Sequence, residues 1–169
     1  MSNSVSSKST VNSAFPSATK TILLSGFLAG TLDILAAIII YSFIMHKATP
    51  AQILQGIASG IFGKDAFSGG TGMALMGLLF HFIIAYCFAI GYFIAFPYLP
   101  FLRKQKIVSG FLYGIFVWLI MNIIVLPLSN VNQAPFKWDA FFRAVIILML
   151  CIGLPISLIT HRYYMSKNG

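Results

Sequence analysis

The sequence predicts an all-α membrane protein, a four-transmembrane-helix bundle with a short external amphipathic helix. Hydrophobic residues make up 59% of the 169 residues and charged residues only 8%, whereas about a quarter of the residues of a soluble domain are charged. Four apolar stretches are each long enough to cross a bilayer, which takes about 20 residues. Most of the charged residues lie between or beside these stretches.

The chain begins with a polar segment that precedes the first apolar stretch. Residues 1–20 are rich in Ser, Thr and Asn, a composition that cannot bury a core and predicts a disordered cytoplasmic tail. The first span is predicted at 21–45. This run is longer than the apolar part of a secretory signal, roughly 7–15 residues, and no small-residue cleavage site ends it. We therefore expect it to stay in the membrane.

The longest connection, 46–72, contains a second helical pattern. Pro50 suits the first turn of a helix. The residues that follow alternate at helical spacing between an apolar side, Ile53, Leu54, Ile57 and Ile61, and a polar side, Gln52, Gln55 and Ser59. The pattern is too short to span a bilayer. It predicts an amphipathic segment at 50–63 that lies in the external interface or caps the bundle.

Prolines predict the ends of the later spans, because proline cannot continue a regular helix. The second span is predicted at 73–96, before Pro97 and Pro100, and a short basic loop follows it. The third is predicted at 107–126, where Pro127 stops it. The fourth is predicted at 140–160, with Pro155 near its end. Together the four spans form one transmembrane domain over residues 21–165.

The distribution of basic residues predicts the orientation. With four spans, both termini lie on one side, together with Lys8, Lys20, Arg103, Lys104, Lys106, Arg162 and Lys167. The other side carries Lys47, Lys64, Lys137, Arg143, Asp65 and Asp139. The positive-inside rule then places both termini in the cytoplasm. The net charge of +8 does not indicate nucleic acid, because no basic patch with interleaved aromatics exists; we expect contacts to membrane lipids.

The first and third spans begin alike. The stretch SGFLAG at 25–30 matches SGFLYG at 109–114 in five of six positions. Each contains a GxxxG motif, formed by Gly26 with Gly30 and by Gly110 with Gly114, which lets helices approach closely. The match is either a repeat of two helix pairs or a coincidence among abundant residues. In either case we expect the first and third helices to touch through these glycines.

Four polar side chains fall inside or near the predicted hydrocarbon region: Asp33, His81, Asn122 and Arg143. At 1.5 Å per residue, they lie about 18, 13, 7 and 9 Å from the external ends of their spans, so a cluster is allowed. As a functional site, Asp33 would carry a proton and His81 would exchange it near neutral pH. As a structural feature, the groups would fix helix packing. Arg143 alone would snorkel to the external interface.

Catalytic and cofactor motifs are missing from the sequence. The three acids are not paired at catalytic spacing, and no serine elbow or HExxH motif occurs. Cys87 and Cys151 form no CxxC or Cys/His metal spacing, and the histidines are not placed for bis-His haem ligation. We therefore expect no enzyme activity, no metal and no cofactor.

A loose set of motifs from the second span onward carries a family resemblance. The motifs are Gly77, His81-Phe82, Gly91-Tyr92, Pro97 or Pro100, a basic loop, Ser109-Gly110, Gly114 and Pro127-Leu128. In these residues the chain resembles the uncharacterised YagU-like small bacterial inner-membrane proteins. The resemblance covers about a third of the chain and leaves the first span and the 50–63 segment unexplained. It implies a bacterial cytoplasmic (inner) membrane and brings no established activity.

Two functions follow as hypotheses. In the first, an integral membrane protein passes ions, protons or a small solute through a polar site at Asp33, His81 and Arg143. In the second, the chain is a non-transporting structural or interaction subunit of the membrane. Its protein partner would be a second copy, forming a homodimer, or another membrane protein.

Overall fold

The computed structural model describes residues 17–131, 135 and 137–168, and this part of the chain contains helices but no strands. The helices are α1 (Ala18–Ile44), α2 (Pro50–Phe62), α3 (Gly70–Ala95), α4 (Pro100–Lys104), α5 (Lys106–Leu128) and α6 (Trp138–Lys167). Four of them, α1, α3, α5 and α6, are long and apolar enough to cross a membrane. The predicted all-helical architecture with four long apolar helices is confirmed.

Helix α1 begins three residues earlier than predicted. The side-chain oxygen of Ser17 caps the helix by accepting a hydrogen bond from the backbone N–H of Lys20, at 3.2 Å. This bond satisfies one of the free N–H groups of the first turn. The prediction that residues 18–20 belong to the tail is therefore wrong, whereas residues 1–16 of that tail lie outside the described residues.

Two of the long helices continue through a proline. Helix α5 passes Pro127 to Leu128, and α6 passes Pro155 and ends well beyond the predicted span. A π turn ends two residues before each proline, at Met121–Val125 and at Met149–Gly153. Proline lacks an N–H and its ring clashes with the carbonyl four residues earlier. The wider π turn displaces that carbonyl, so the prolines do not stop these helices.

The long helices run antiparallel along the chain. The start of α1, the end of α3, α4, the start of α5 and the end of α6 lie at one end of the bundle, which we call the terminal end. The opposite end carries α2, and we call it the α2 end. There the side-chain amide of Asn130, just after α5, donates a hydrogen bond to the carbonyl of Ile61 at 2.9 Å. At the terminal end, His161 of α6 meets the carbonyl of Arg103 in α4.

Each GxxxG motif packs against the next long helix along the chain: that of α1 against α3, and that of α5 against α6. A Cβ atom added to Gly30 of α1 would lie 2.9 Å from ring carbons of Phe82 in α3. A Cβ atom added to Gly110 of α5 would lie 3.1 Å from the carbonyl oxygen of Gly153 in α6. Similarly, Gly26 packs on the ring of Tyr86, in α3. The corresponding contact of Gly114 is with the backbone of Met149, in α6.

The expectation that the first and third helices touch through these glycines is wrong. Helix α6 packs against both α1 and α5, so it occupies the position beside α1 that the prediction gave to the third helix. Each glycine motif instead faces the next long helix along the chain. The bundle therefore consists of two antiparallel pairs, α1 with α3 and α5 with α6, which meet mainly where α6 packs on α1.

The two pairs share a further detail. Ser25 and Ser109, which precede the glycine motifs, are both fully buried. Each hydroxyl donates a hydrogen bond to the carbonyl three residues earlier, that of Ile22 at 3.2 Å and that of Lys106 at 3.1 Å. Serines elsewhere in the chain make the same bond, for example Ser59 to Gly56 and Ser129 to Leu126, so it does not decide between a repeat and a coincidence.

Helix α2 forms within the bounds predicted for the amphipathic segment. Thr49 and Gln52 form a reciprocal capping box around Pro50. The side of α2 that the pattern identifies as polar faces inward, because Gln55 and Ser59 are 6% and 5% exposed. Gln55 donates from Nε2 to the carbonyl of Gly70 at 3.0 Å. Thus α2 packs on α3 through Gln55 together with the backbone of Leu54 and Ala58, while Gln52 is exposed. The external position of α2 stays a prediction.

The apolar core lies on the terminal side of the bundle. Small residues of α1 and α3, Ala29 and Ala89, pack there with larger side chains and are fully buried. The larger side chains of this core are Tyr92, Phe96, Leu102, Val117, Ile152 and Ile156. Many large hydrophobic side chains of the long helices are exposed, the arrangement expected where lipid replaces water as the solvent.

Candidate functional site

Asp33 and His81 lie at the same level of the bundle. Asp33 is 11 residues before the end of α1 at Ile44, and His81 is 11 residues after the start of α3 at Gly70. At 1.5 Å per residue, each lies about 16 Å from the α2 end of its helix. The two helices are antiparallel neighbours, so the depths predicted from the sequence bring this pair together.

A hydrogen bond between α3 and α1 fixes the imidazole of His81. Its Nε2 atom lies 2.8 Å from the backbone carbonyl oxygen of Gly30. A carbonyl oxygen only accepts hydrogen bonds, so Nε2 carries the hydrogen. In the neutral ring, Nδ1 is then left as an acceptor. Because Gly30 precedes Asp33 by three residues, the bond holds the ring one helical turn from the carboxylate.

Gly30 also makes this contact sterically feasible. The Phe82 ring and Ala85 of α3 occupy the space that a side chain at position 30 would need. Without a Cβ atom there, the two helices come close enough for the imidazole to reach the backbone of α1. The GxxxG motif thus serves the polar pair as well as the helix packing.

The Asp33 carboxylate lies where α1 faces both α3 and α6. It is partly buried and interacts electrostatically with His81 of α3 and with Cys151 of α6. Within the described residues, no hydrogen-bond donor is in contact with this carboxylate. Among the residues that the structure describes, no hydrogen bond or ion pair joins His81 to Asp33, so a proton passes between them only through a water molecule or after a side-chain movement.

Arg143 is not part of this pair. Its guanidinium forms an ion pair with Asp139, one turn earlier on the same helix, at 3.1 Å. It also lies over the ring of Tyr41, 5.8 Å from the centroid. The predicted cluster of Arg143 with Asp33 and His81 is therefore not formed, because Arg143 finds an opposite charge on its own helix, closer to the α2 end.

Asn122 also bonds within its own helix. Its side-chain amide donates to the carbonyl of Trp118, four residues earlier, at 2.9 Å. The structure thus brings together two of the four predicted residues, Asp33 and His81, and leaves Asn122 and Arg143 apart from them.

A second polar cluster, which the sequence did not reveal, lies nearer the terminal end. The hydroxyl of Tyr92 in α3 donates to Ser157 of α6 at 2.8 Å and lies 2.9 Å from that of Ser109 in α5. Both serine hydroxyls also donate to the carbonyl of Lys106, at 3.1 and 2.6 Å. All three side chains are fully buried. We call Tyr92, Ser109 and Ser157 the hydroxyl cluster; it joins three helices.

The apolar core separates the hydroxyl cluster from the Asp33 and His81 pair. Ala29 lies one turn beyond Asp33 toward the terminal end, and Ala89 lies two turns beyond His81. Both alanines are fully buried and belong to the same apolar core as Val117 and Ile152. Tyr92 belongs both to this core and to the hydroxyl cluster, and among the described residues no hydrogen bond joins the cluster to Asp33 or His81.

A cavity of about 410 Å³ lies beneath α2, between α3 and α5. Its walls are apolar apart from Ser129, and neither Asp33 nor His81 lines it. Residues that line it include Ile57 of α2, Phe80 of α3 and Val125 of α5. Asp33 and His81 therefore do not form part of this cavity.

Metal ligands are not clustered in the described residues, where no group of three or more His, Cys, Asp or Glu side chains is placed to hold an ion. Comparison with known proteins yields no matching family model, no matching curated protein and no matching solved structure. The resemblance to YagU-like proteins thus stays a hypothesis, and functional inference rests on the geometry of the chain itself.

Proposed function

We propose that this chain is an integral membrane protein in which Asp33 and His81 exchange protons and take part in proton passage. One observation carries the proposal. An imidazole on α3, held by its 2.8 Å hydrogen bond to Gly30, lies at the level of the acid inside α1. Ionisable groups within a spanning helix are costly to bury and mark ion or proton pathways.

The chemistry of the pair favours a proton over a metal cation or a solute. Calcium takes six to eight oxygen ligands and magnesium about six, whereas the pair offers one carboxylate beside an imidazole that becomes cationic on protonation. A solute needs a cavity, and the apolar cavity under α2 excludes both residues. Proton exchange needs only these two groups and a water molecule or a side-chain movement that closes the gap between them.

The position of the core bears on how a proton would move. The pair would be loaded from the α2 end, because the apolar core closes the terminal side. Passage across the bundle would require this core to open toward the hydroxyl cluster. The proposal therefore includes a second conformation in which α1 and α3 separate from α5 and α6.

The closed core also supports a second candidate function. In a non-transporting structural or interaction subunit, the bond from His81 to Gly30 would fix the packing of α3 on α1 and nothing would cross. This reading assigns the chain no catalytic activity, as does the first. The two functions differ in the effect of removing the Asp33 charge. In the first, proton flux is lost; in the second, only folding or assembly changes.

Proton flux into liposomes that contain the purified protein tests the proposal. We expect flux in the wild type, its loss in Asp33→Asn, and wild-type flux in Asp65→Asn, which removes an exposed acid outside the long helices. Helix content and elution volume are compared first, so that the variants are known to fold. Flux in Asp33→Asn equal to that of the wild type would remove Asp33 from any pathway. Wild-type flux no higher than in protein-free liposomes would favour the non-transporting subunit.

For the orientation, we propose that the terminal end faces the cytoplasm and α2 the outside of a bacterial inner membrane. The supporting observation is the concentration of basic residues at the terminal end, by the positive-inside rule. The bacterial location rests on the YagU-like resemblance. A homodimer formed through the outward apolar faces would supply a wider interior than one copy offers.

A further inference from the structure

The terminal end collects basic side chains without an acid. Six described lysines and arginines lie there: Lys20, Arg103, Lys104, Lys106, Arg162 and Lys167. The chain has three acids. One, Asp33, lies inside α1, and the others, Asp65 and Asp139, lie at the α2 end. No aspartate or glutamate side chain therefore neutralises the cations of the terminal end.

Hydrogen bonds join the three segments that carry four of these cations. His161 of α6 donates from Nε2 to the carbonyl of Arg103 in α4, at 3.1 Å, and Ser157 of α6 donates to the carbonyl of Lys106 in α5. The end of α6 is thereby held against α4 and the start of α5. These joined segments carry four exposed cations, which we call the basic corner: Arg103, Lys104, Lys106 and Arg162.

Exposed apolar side chains flank the basic corner. In the connection between α3 and α5, Tyr98 is 78% exposed, Leu99 50% and Phe101 44%. Arg103 and Lys104 follow Phe101 and the buried Leu102 in the same short helix. A cationic group beside exposed aromatic and aliphatic groups is the arrangement that suits the headgroup level of a bilayer.

We propose that the basic corner is a binding site for an anionic phospholipid. The phosphate would lie among the four cations, with an arginine guanidinium able to contact two phosphate oxygens at once. The acyl chains would lie against Leu99 and Phe101. The anionic headgroup supplies the opposite charge that the chain itself lacks at this end. This site is independent of proton passage at Asp33.

Lipid binding to the purified protein in detergent tests the site, with short-chain phosphatidylglycerol as the probe and phosphatidylcholine as the zwitterionic comparison. We expect phosphatidylglycerol to bind at least tenfold more tightly, and its advantage to shrink as salt screens the charges. Each basic residue near an anionic headgroup contributes about fivefold to affinity. The double variant Arg103→Gln with Lys104→Gln should therefore lose about 25-fold.

The matched control is Lys47→Gln with Lys64→Gln, which removes two exposed cations at the α2 end and should leave the affinity unchanged. Arg162→Gln changes a different helix and should lower the affinity for phosphatidylglycerol about fivefold. If the double variant does not fold, this single variant tests the site. Equal binding of the two lipids, an equal loss in the control, or displacement of the lipid by equimolar inorganic phosphate would each overturn the proposal.

Discussion

Tyr92 shows how a single hydroxyl group connects three helices. Its ring is fully buried in the apolar core, and its oxygen contacts Ser109 of α5 and Ser157 of α6. Inside a membrane protein a hydroxyl without a partner is costly, because no water replaces the missing bond. The contact therefore joins α3 to the α5 and α6 pair at the level of the apolar core.

Removal of this hydroxyl should destabilise the bundle. In Tyr92→Phe we expect a loss of about 1 kcal/mol in the free energy of unfolding, the usual contribution of one hydrogen bond. The measurement is unfolding in mixed micelles with increasing denaturing detergent, followed by circular dichroism. The control is Tyr98→Phe, because Tyr98 is largely exposed and its change should be neutral. Equal stability of Tyr92→Phe and the wild type would show that the hydroxyl cluster is not holding these helices together.

The depth of each polar residue could be predicted from the sequence, but its partner could not. Counting residues along the helices predicts similar depths for Asp33 and His81, and the structure places them at the same level on neighbouring helices. For Arg143 and Asn122 the same counting was insufficient, because acceptors one turn earlier on their own helices compete with distant ones. The sequence does not predict the hydroxyl cluster, because a serine in an apolar helix can bond a carbonyl of its own preceding turn as well as a partner on another helix.

At the scale of elements, the contact of α2 with α3 depends on one glycine. Gly77 of α3 lies directly against the backbone carbonyl of Leu54 in α2, where a Cβ atom would overlap that carbonyl. Ala58 of α2 is fully buried in the same contact region. A backbone cannot move aside as a flexible side chain can, so any side chain at position 77 must push α2 away.

We therefore expect Gly77→Ala to loosen α2, with a cost of about 1–3 kcal/mol as for other overpacked sites. Trypsin offers a direct measurement, because Lys47 and Lys64 flank α2, and the variant should be cleaved there faster than the wild type. Gly72→Ala is the control, since no atom lies within 4 Å of its added Cβ. If both variants are cleaved at the wild-type rate, α2 is not held by this close approach.

The existence of the helices could be predicted well and their ends less well. Length and apolarity alone determined the four long helices, because a bilayer requires about 20 apolar residues. The ends were misjudged at Ser17, where a capping hydrogen bond extends α1, and at Pro127, where a π turn lets α5 continue to Leu128. Both corrections depend on backbone hydrogen bonds, which the hydrophobic pattern does not encode.

At the scale of the whole molecule, the proposed orientation predicts which end is accessible from outside the cell. Single cysteines in place of Lys64 and Lys104 report the two ends, in a background in which Cys87 and Cys151 are changed to alanine. In spheroplasts, a membrane-impermeant maleimide should label position 64 at once and position 104 only after lysis. The reverse pattern would invert the orientation, and immediate labelling of both would contradict a membrane barrier between the two ends.

The pairing of α1 with α3 and of α5 with α6 has a consequence for the origin of the chain. Each pair is a helical hairpin whose GxxxG glycines make their contacts inside that hairpin, whereas Ser109 also contacts Tyr92 of α3 in the other pair. A gene for one such hairpin, duplicated and fused, would give this bundle, with α6 against α1 as the seam between the copies. After such a fusion, Asp33 and His81 could arise in one copy alone, while the other kept an apolar interior.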